Sequence, residues 1–151
     1  MTRPFEVGVV VRDLGLMERF YRDVIGCRAE RRSRVPASVG GPAGLGGELT
    51  VAWLRVPSGG CVKLILSRSA PVSAGVAPWS AGRPGLSYLT FHVDDMDPVV
   101  AALRGAGARP LSDPVVVRAG ARRISFWADP EGNVVELVDE RSDEPGPRRS
   151  N

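Results

Sequence analysis

One order of elements occurs twice in this chain, and few folds accommodate it. The stretch FEVGVVVRD reads as a strand from its β-branched residues. LGLMERFYRDVIGC then switches to helical spacing, with Leu14, Met17, Phe20, Tyr21, Val24 and Ile25 on one face. Asp13 stands as its N-cap and Gly26 as its C-terminal stop. CRAERRSRV gives a short strand, and LTVAWLRVP and CVKLILSR give two more around the turn SGG. The order then returns. LSYLTFHVDD is a strand, and DPVVAALRGAGA is a helix with Asp97 as N-cap and Pro98 at the first helical position. RRISFWAD and NVVELVDE are strands around the turn DPEGN, with a further short strand in PVVVRA. Each half is therefore strand, helix, then about three strands, a repeat too long and too few in copies for a solenoid.

The expected fold class is α+β: two strand–helix–strands modules, each with its helix covering one face of a small sheet, and the other faces joined side by side around a cleft. The first module is placed at residues 1–70, a Pro/Gly/Ser/Ala-rich linker at 71–85, and the second module at 86–139. The charged, Pro/Gly-rich residues 140–151 read as a disordered tail. PASVGGPAGLGGE reads as a mobile Gly-rich loop over 36–47. The cleft between modules is the place to seek function.

Composition narrows the function classes. At 151 residues and 43% hydrophobic content the chain can bury one real core. No apolar run is long enough to span a membrane, and MTRPFEVGVV lacks the pattern of a secretion signal, so a cytoplasmic location is expected. Cys27 and Cys61 make neither a disulfide framework nor a zinc pattern and read as free buried thiols. Net charge is only +3, and the arginines are scattered without interleaved aromatics, so no nucleic-acid partner is expected. Nineteen cations are arginine and one is lysine. That lysine, Lys63, sits inside the apolar strand CVKLIL.

With VVRDLGLMERFYRDVIG near the start and DPEGNVVEL near the end, the chain resembles the vicinal oxygen chelate superfamily. That group holds glyoxalase I, extradiol dioxygenases, methylmalonyl-CoA epimerase and the bleomycin-resistance binding proteins. The resemblance runs to about Asp139 and implies paired βαβββ modules, an eight-stranded cup, and frequent dimerisation, sometimes by swapped modules. It also implies four inward strand positions that carry metal ligands in metal-using members. By motif offset these fall on Glu6, Lys63, Tyr88 and Glu136, of which Glu136 alone matches the usual residue. A protonated ammonium has no lone pair, so Lys63 cannot ligate and would repel a divalent ion. His92 is the only histidine, so no histidine pair is available within one chain. A metal-independent protein without a cofactor is the expectation.

Strand alternation bears on the same residues. Glu6, Gly8 and Val10 share one face; so do Lys63 and Ile65; so do Tyr88, Thr90 and His92; so do Val134, Glu136 and Val138. The opposite faces are apolar. Lys63 is expected in the former metal position, between Glu6 and Glu136. As chemistry, Glu136 or Glu6 would be a general base, Lys63 would hold an enolate or oxyanion, and Tyr88 or His92 would move a second proton. Isomerisation, epimerisation, elimination or cyclisation of a small organic molecule would fit. As structure alone, Lys63 would be a cation filling a lost metal site, His92 an ordinary strand residue and Tyr88 a wall. DPEGN would then be a turn, with Gly132 supplying its special backbone conformation.

The competing class is a protein that binds and sequesters a small molecule without turnover. Trp53, Trp79 and Trp127 would then stack on the ligand, with Trp79 as a lid from the linker, while Trp53 and Trp127 could instead be core. Thr90 and His92 complete the expected binding set. A homodimer is expected in either case.

Overall fold

The computed structural model describes residues 4–72, 81 and 84–139. The first half runs β1 (Glu6–Val11), α1 (Leu14–Arg19), β2 (Arg28–Val35), α2 (Ala37–Gly40), β3 (Leu49–Arg55) and β4 (Cys61–Ser67). The second runs β5 (Tyr88–His92), α3 (Met96–Gly105), β6 (Arg109–Pro110), β7 (Val117–Ala119), β8 (Arg122–Ala128) and β9 (Val134–Asp139). The strands form two separately bonded sheets, ordered β1-β4-β3-β2 and β5-β9-β8-β6, with β7 also on β8. In each, the first strand lies parallel to the last, β1 on β4 and β5 on β9, and the other pairs are antiparallel. The α+β class and the repeated strand–helix–strands order are thus those expected.

Helix ends follow local chemistry, with one shift. The Asp13 carboxylate accepts from Leu16 N at 2.9 Å, as an N-cap should. α1 loosens into a π-helical turn over Phe20–Val24, and Gly26 leaves the helix with φ +92°, a conformation that favours glycine. The cap of α3 is Asp95, not Asp97: Asp95 Oδ1 accepts from Asp97 N at 3.1 Å. The sequence DDMD offers several aspartates, and a distant one decides between them. Asp139, buried on β9, accepts from Met96 N at 2.9 Å and fixes where the helix begins. Arg123 clamps this end, bonding Asp139 through two nitrogens and Asp97 at 2.8 Å. The glycine-rich loop contains the helical turn α2, and its chain doubles back closely. A Cβ on Gly40 would lie 1.8 Å from the Gly47 carbonyl oxygen, so only glycine fits there.

The apolar faces of both sheets share one core. From the first half come Val11, Met17, Tyr21, Leu54 and Leu64; from the second, Phe91, Leu103, Trp127, Val135 and Leu137. Tyr21 spans the join: its ring centroid lies 6.0 Å from that of Phe91, and its hydroxyl donates to Asp129 Oδ2 at 2.8 Å. Burial and the neighbouring carboxylate push the Tyr21 hydroxyl far above its ordinary pKa, so it stays a donor. The DPEGN turn, with Gly132 at φ +88°, therefore does more than reverse the chain. Asp129 also gathers Glu131 N, Asn133 N and Asn133 Nδ2. Glu131 receives the backbone N–H groups of Arg12 and Asp13 at 2.8 Å. The second half thereby holds the start of α1. No helix of the described residues is long and apolar enough to cross a membrane.

Candidate functional site

Because the helix-bearing faces of the two sheets meet in one core, their other faces are turned away from it. Those faces carry the polar residues that strand alternation singles out. On the first sheet the register sets Gly8 beside Lys63, Lys63 beside Trp53, and Trp53 beside Arg31, a row crossing all four strands. Lys63 Nζ lies 3.3 Å from Glu6 Oε2, with 31% and 40% of the two side chains exposed. Gly8 contributes no side chain to cover the lysine. A Cβ there would come within 2.9 Å of Ile65 Cδ1, the mobile end of a neighbouring side chain.

On the second sheet the equivalent row is Thr90, Glu136 and Phe126. Lys63 and Glu136 are each the third residue of the strand that runs parallel to its module's first strand. Thr90 Oγ1 donates to Glu136 Oε2 at 2.6 Å, and no hydrogen bond to Oε1 occurs among the described residues. The Tyr88 ring meets Phe126 edge-on at 5.3 Å, leaving Tyr88 48% exposed. His92 shares this face two residues beyond Thr90.

The expected single cluster is thus two pairs within one chain. Lys63 stands with Glu6 and Glu136 with Thr90, and no ion pair or hydrogen bond joins the two sets among the described residues. Two sheets that share their apolar faces cannot also face each other through their polar ones. A shallow cleft of 370 Å³ does lie where the halves meet, between the end of α1, the β3–β4 turn and the segment from Phe91 to Asp95. It includes His92 but neither Lys63 nor Glu136.

The tryptophans divide. Trp127 is fully buried, its indole N–H donating to Ser125 Oγ at 2.8 Å. It lies on the core side of β8, opposite Val135, so it is a core residue and not the expected ligand platform. Trp53 is half-buried on the same face as Lys63, but its ring is already stacked: the Arg31 guanidinium carbon is 3.6 Å from the ring centroid. Trp79, expected as a lid, lies outside the described residues. Cys27 and Cys61 are buried and free. Burial pushes the Cys27 thiol up to about 12, which leaves it inert near neutrality.

Within one chain the donor set does not suit a divalent metal. Glu6 is paired with an ammonium, which has no lone pair to offer, and the side-chain partner of Glu136 is a threonine hydroxyl. Among the described residues, no group of three or more His, Cys, Asp or Glu side chains could hold a metal ion. What the arrangement can do is place a cation on one open face and a carboxylate with one unbonded oxygen on the other.

A model of the Glyoxalase/Bleomycin resistance protein/Dioxygenase superfamily matches residues 5–126. The chain is 26% identical over 136 residues to a lactoylglutathione lyase of Haemophilus influenzae, covering 90% of this chain and 91% of that protein. It superposes on the crystal structure of a glyoxalase family protein from Bacillus cereus with a TM-score of 0.78 and 26% identity, covering 93% and 95% of the two chains. The trypanothione-dependent glyoxalase I of Leishmania major shares the fold, with a TM-score of 0.65, 20% identity, and 93% and 88% covered.

Proposed function

The chain belongs to the Glyoxalase/Bleomycin resistance protein/Dioxygenase superfamily, and within it we propose a metal-independent protein that performs acid/base chemistry on a small carbonyl compound. The observation that carries this reading is the Lys63 ammonium, 3.3 Å from Glu6 on an open face, at the position equivalent to Glu136 in the other module. The site is completed by a second copy. The Glu6–Lys63 face of one protomer meets the Thr90–Glu136 face of its partner, and the two-fold relation makes two such sites per dimer. Half-exposed Val10 and Tyr88 lie on these faces and would be covered by the pairing.

In the assembled site Glu136 Oε1 takes a proton from the carbon next to the substrate carbonyl. The C–H electron pair moves onto the carbonyl oxygen, and Lys63 holds the resulting oxyanion. Thr90 donates to the other carboxylate oxygen and fixes the orientation of the base. Tyr88 or His92 moves the second proton, on oxygen. Return of a proton to the same or the opposite face of the carbon gives isomerisation or epimerisation; loss of a neighbouring group gives elimination or ring closure. The related lactoylglutathione lyase and glyoxalases support lyase-type chemistry.

The test is deuterium uptake at the carbon next to the carbonyl, followed by NMR in heavy water over a panel of hydroxyketones and keto acids. Lys63→Met and Glu136→Gln should each lower uptake by about 100-fold or more, and a chelator should not change it. Mixing the two variants should restore about a quarter of wild-type activity. Half the dimers are then mixed, and each mixed dimer has one intact site of two. No restoration would place the whole site within one chain. Loss of uptake with the chelator would make the protein metal-dependent. A compound that binds on these faces without any exchange would make the protein a sequestering one.

A further inference from the structure

We propose that the substrate or ligand is an organic anion, with Arg31 receiving its carboxylate or phosphate group while its carbonyl lies at Lys63; this deepens the preceding reading and rests on its placing of the ligand at Lys63. β2 carries four arginines, and three have acid partners. Arg28 lies 3.7 Å from Glu30, Arg32 pairs with Glu18 at 2.6 Å, and Arg34 with Glu48 at 2.7 Å. Glu30, the acid next to Arg31 in sequence, is taken by Arg55 at 2.5 Å. Arg31 has no ion pair among the described residues. Its guanidinium carbon lies over the Trp53 ring instead, 3.6 Å from the ring centroid.

That stack is what an anion receptor needs. The indole face holds the planar guanidinium through cation–π attraction and leaves its N–H edge free to bond outward. A carboxylate or phosphate can then accept two parallel hydrogen bonds without Arg31 first surrendering an acid partner. The position is also right. Arg31 is two strand spacings from Lys63 across the same face, roughly 10 Å between backbones, with Trp53 between them. A compound whose carbonyl oxygen is held by Lys63 would run along Trp53 and end at Arg31. Glu6 already partners Lys63, so the lysine remains directed to the oxygen at the reacting end, and the second charge of the ligand falls to the arginine.

The experiment titrates the full-length protein with three probes: 7-oxooctanoate, its methyl ester and 6-oxoheptyl phosphate. NMR follows the Trp53 indole N–H, identified by its loss in Trp53→Phe. The acid should bind at least about tenfold more tightly than the ester, the factor one charge-assisted hydrogen bond supplies, and should shift the Trp53 signal. Arg31→Gln should lower the acid to the affinity of the ester without changing the thermal midpoint. Whichever of carboxylate and phosphate binds more tightly names the head group. Equal binding of acid and ester would overturn the proposal. So would a preference that survives Arg31→Gln, since the anion would then sit on Lys63. Titration needs no turnover, so an anion held at Arg31 without deuterium exchange would leave this inference standing and remove the catalytic reading. Exchange on neutral ketones with no anion preference would do the reverse.

Discussion

Replacing Lys63 by methionine separates a structural lysine from a working one, and the geometry sets the size of the effect. A buried ion pair that loses one partner costs about 3–5 kcal/mol, because the remaining charge is stranded away from water. Lys63 and Glu6 are not such a pair. Within one chain 31% and 40% of their side chains are exposed with 3.3 Å between them, and a site that admits substrate keeps both in reach of water in the dimer. Pairs of that kind contribute about 0.2–1 kcal/mol. Glu6, left alone, can turn to water, and the methionine stem keeps most of the lysine's contacts with the strand. Urea unfolding should therefore show a loss of at most about 1 kcal/mol, or a thermal midpoint lower by no more than about 2–4 °C for a chain of this size. Deuterium uptake should fall by about 100- to 1000-fold, the scale of removing one oxyanion donor. A stability loss of 3 kcal/mol or more would refute the reasoning. Lys63 would then be a fill-in for an absent ion, and its charge would owe nothing to a substrate.

Three further outcomes follow from other contacts. Tyr21→Phe removes a buried hydrogen bond to a carboxylate that keeps three other donors, so it should cost about 1.5–3 kcal/mol in urea unfolding; an unchanged midpoint would mean that this bond does not hold the two halves together. In Gly8→Val the new Cβ meets the flexible end of Ile65, and on this exposed strand position the change should shift stability by less than about 1 kcal/mol. By covering Lys63 it should suppress deuterium uptake, and full activity would exclude that face from the site. Burial raises the Cys27 thiol from 9.0 to about 12, so between those values the unfolded chain releases a proton that the folded chain retains. Stability should fall as pH rises through that window, less steeply in Cys27→Ala, and identical pH slopes for the two proteins would show that the thiol ionises freely in the fold.

Local signals were legible in the sequence wherever one short segment contained both the cause and the effect. β-branched runs, helical spacing, the Asp13 cap and the glycine of DPEGN each form what they encode, because their hydrogen bonds close within a few residues. The same alternation put Glu6, Lys63, Tyr88, Thr90 and Glu136 on the polar faces of their strands, since a period of two needs no tertiary information. Arg31 escaped notice because RAERRSRV offers four arginines alike, and only the register of β2 on β3 shows which one lies on a tryptophan. Trp127 stays open between ligand platform and core in the sequence, because a tryptophan near a turn suits either, and the face of β8 decides for the core.

What the sequence by itself determined is the α+β repeat and the odd placement of one ammonium among apolar residues. What tertiary structure alone decided is which surfaces meet. The cap of α3 moved to Asp95 because Asp139, from the far end of the chain, catches Met96 N. Glu131 and Asp129 became a clasp because Arg12, Asp13 and Tyr21 arrive beside them. Lys63 and Glu136 were separated because burying two apolar sheet faces in one core gains more than pairing two solvated charges, and that choice turned the polar faces outward.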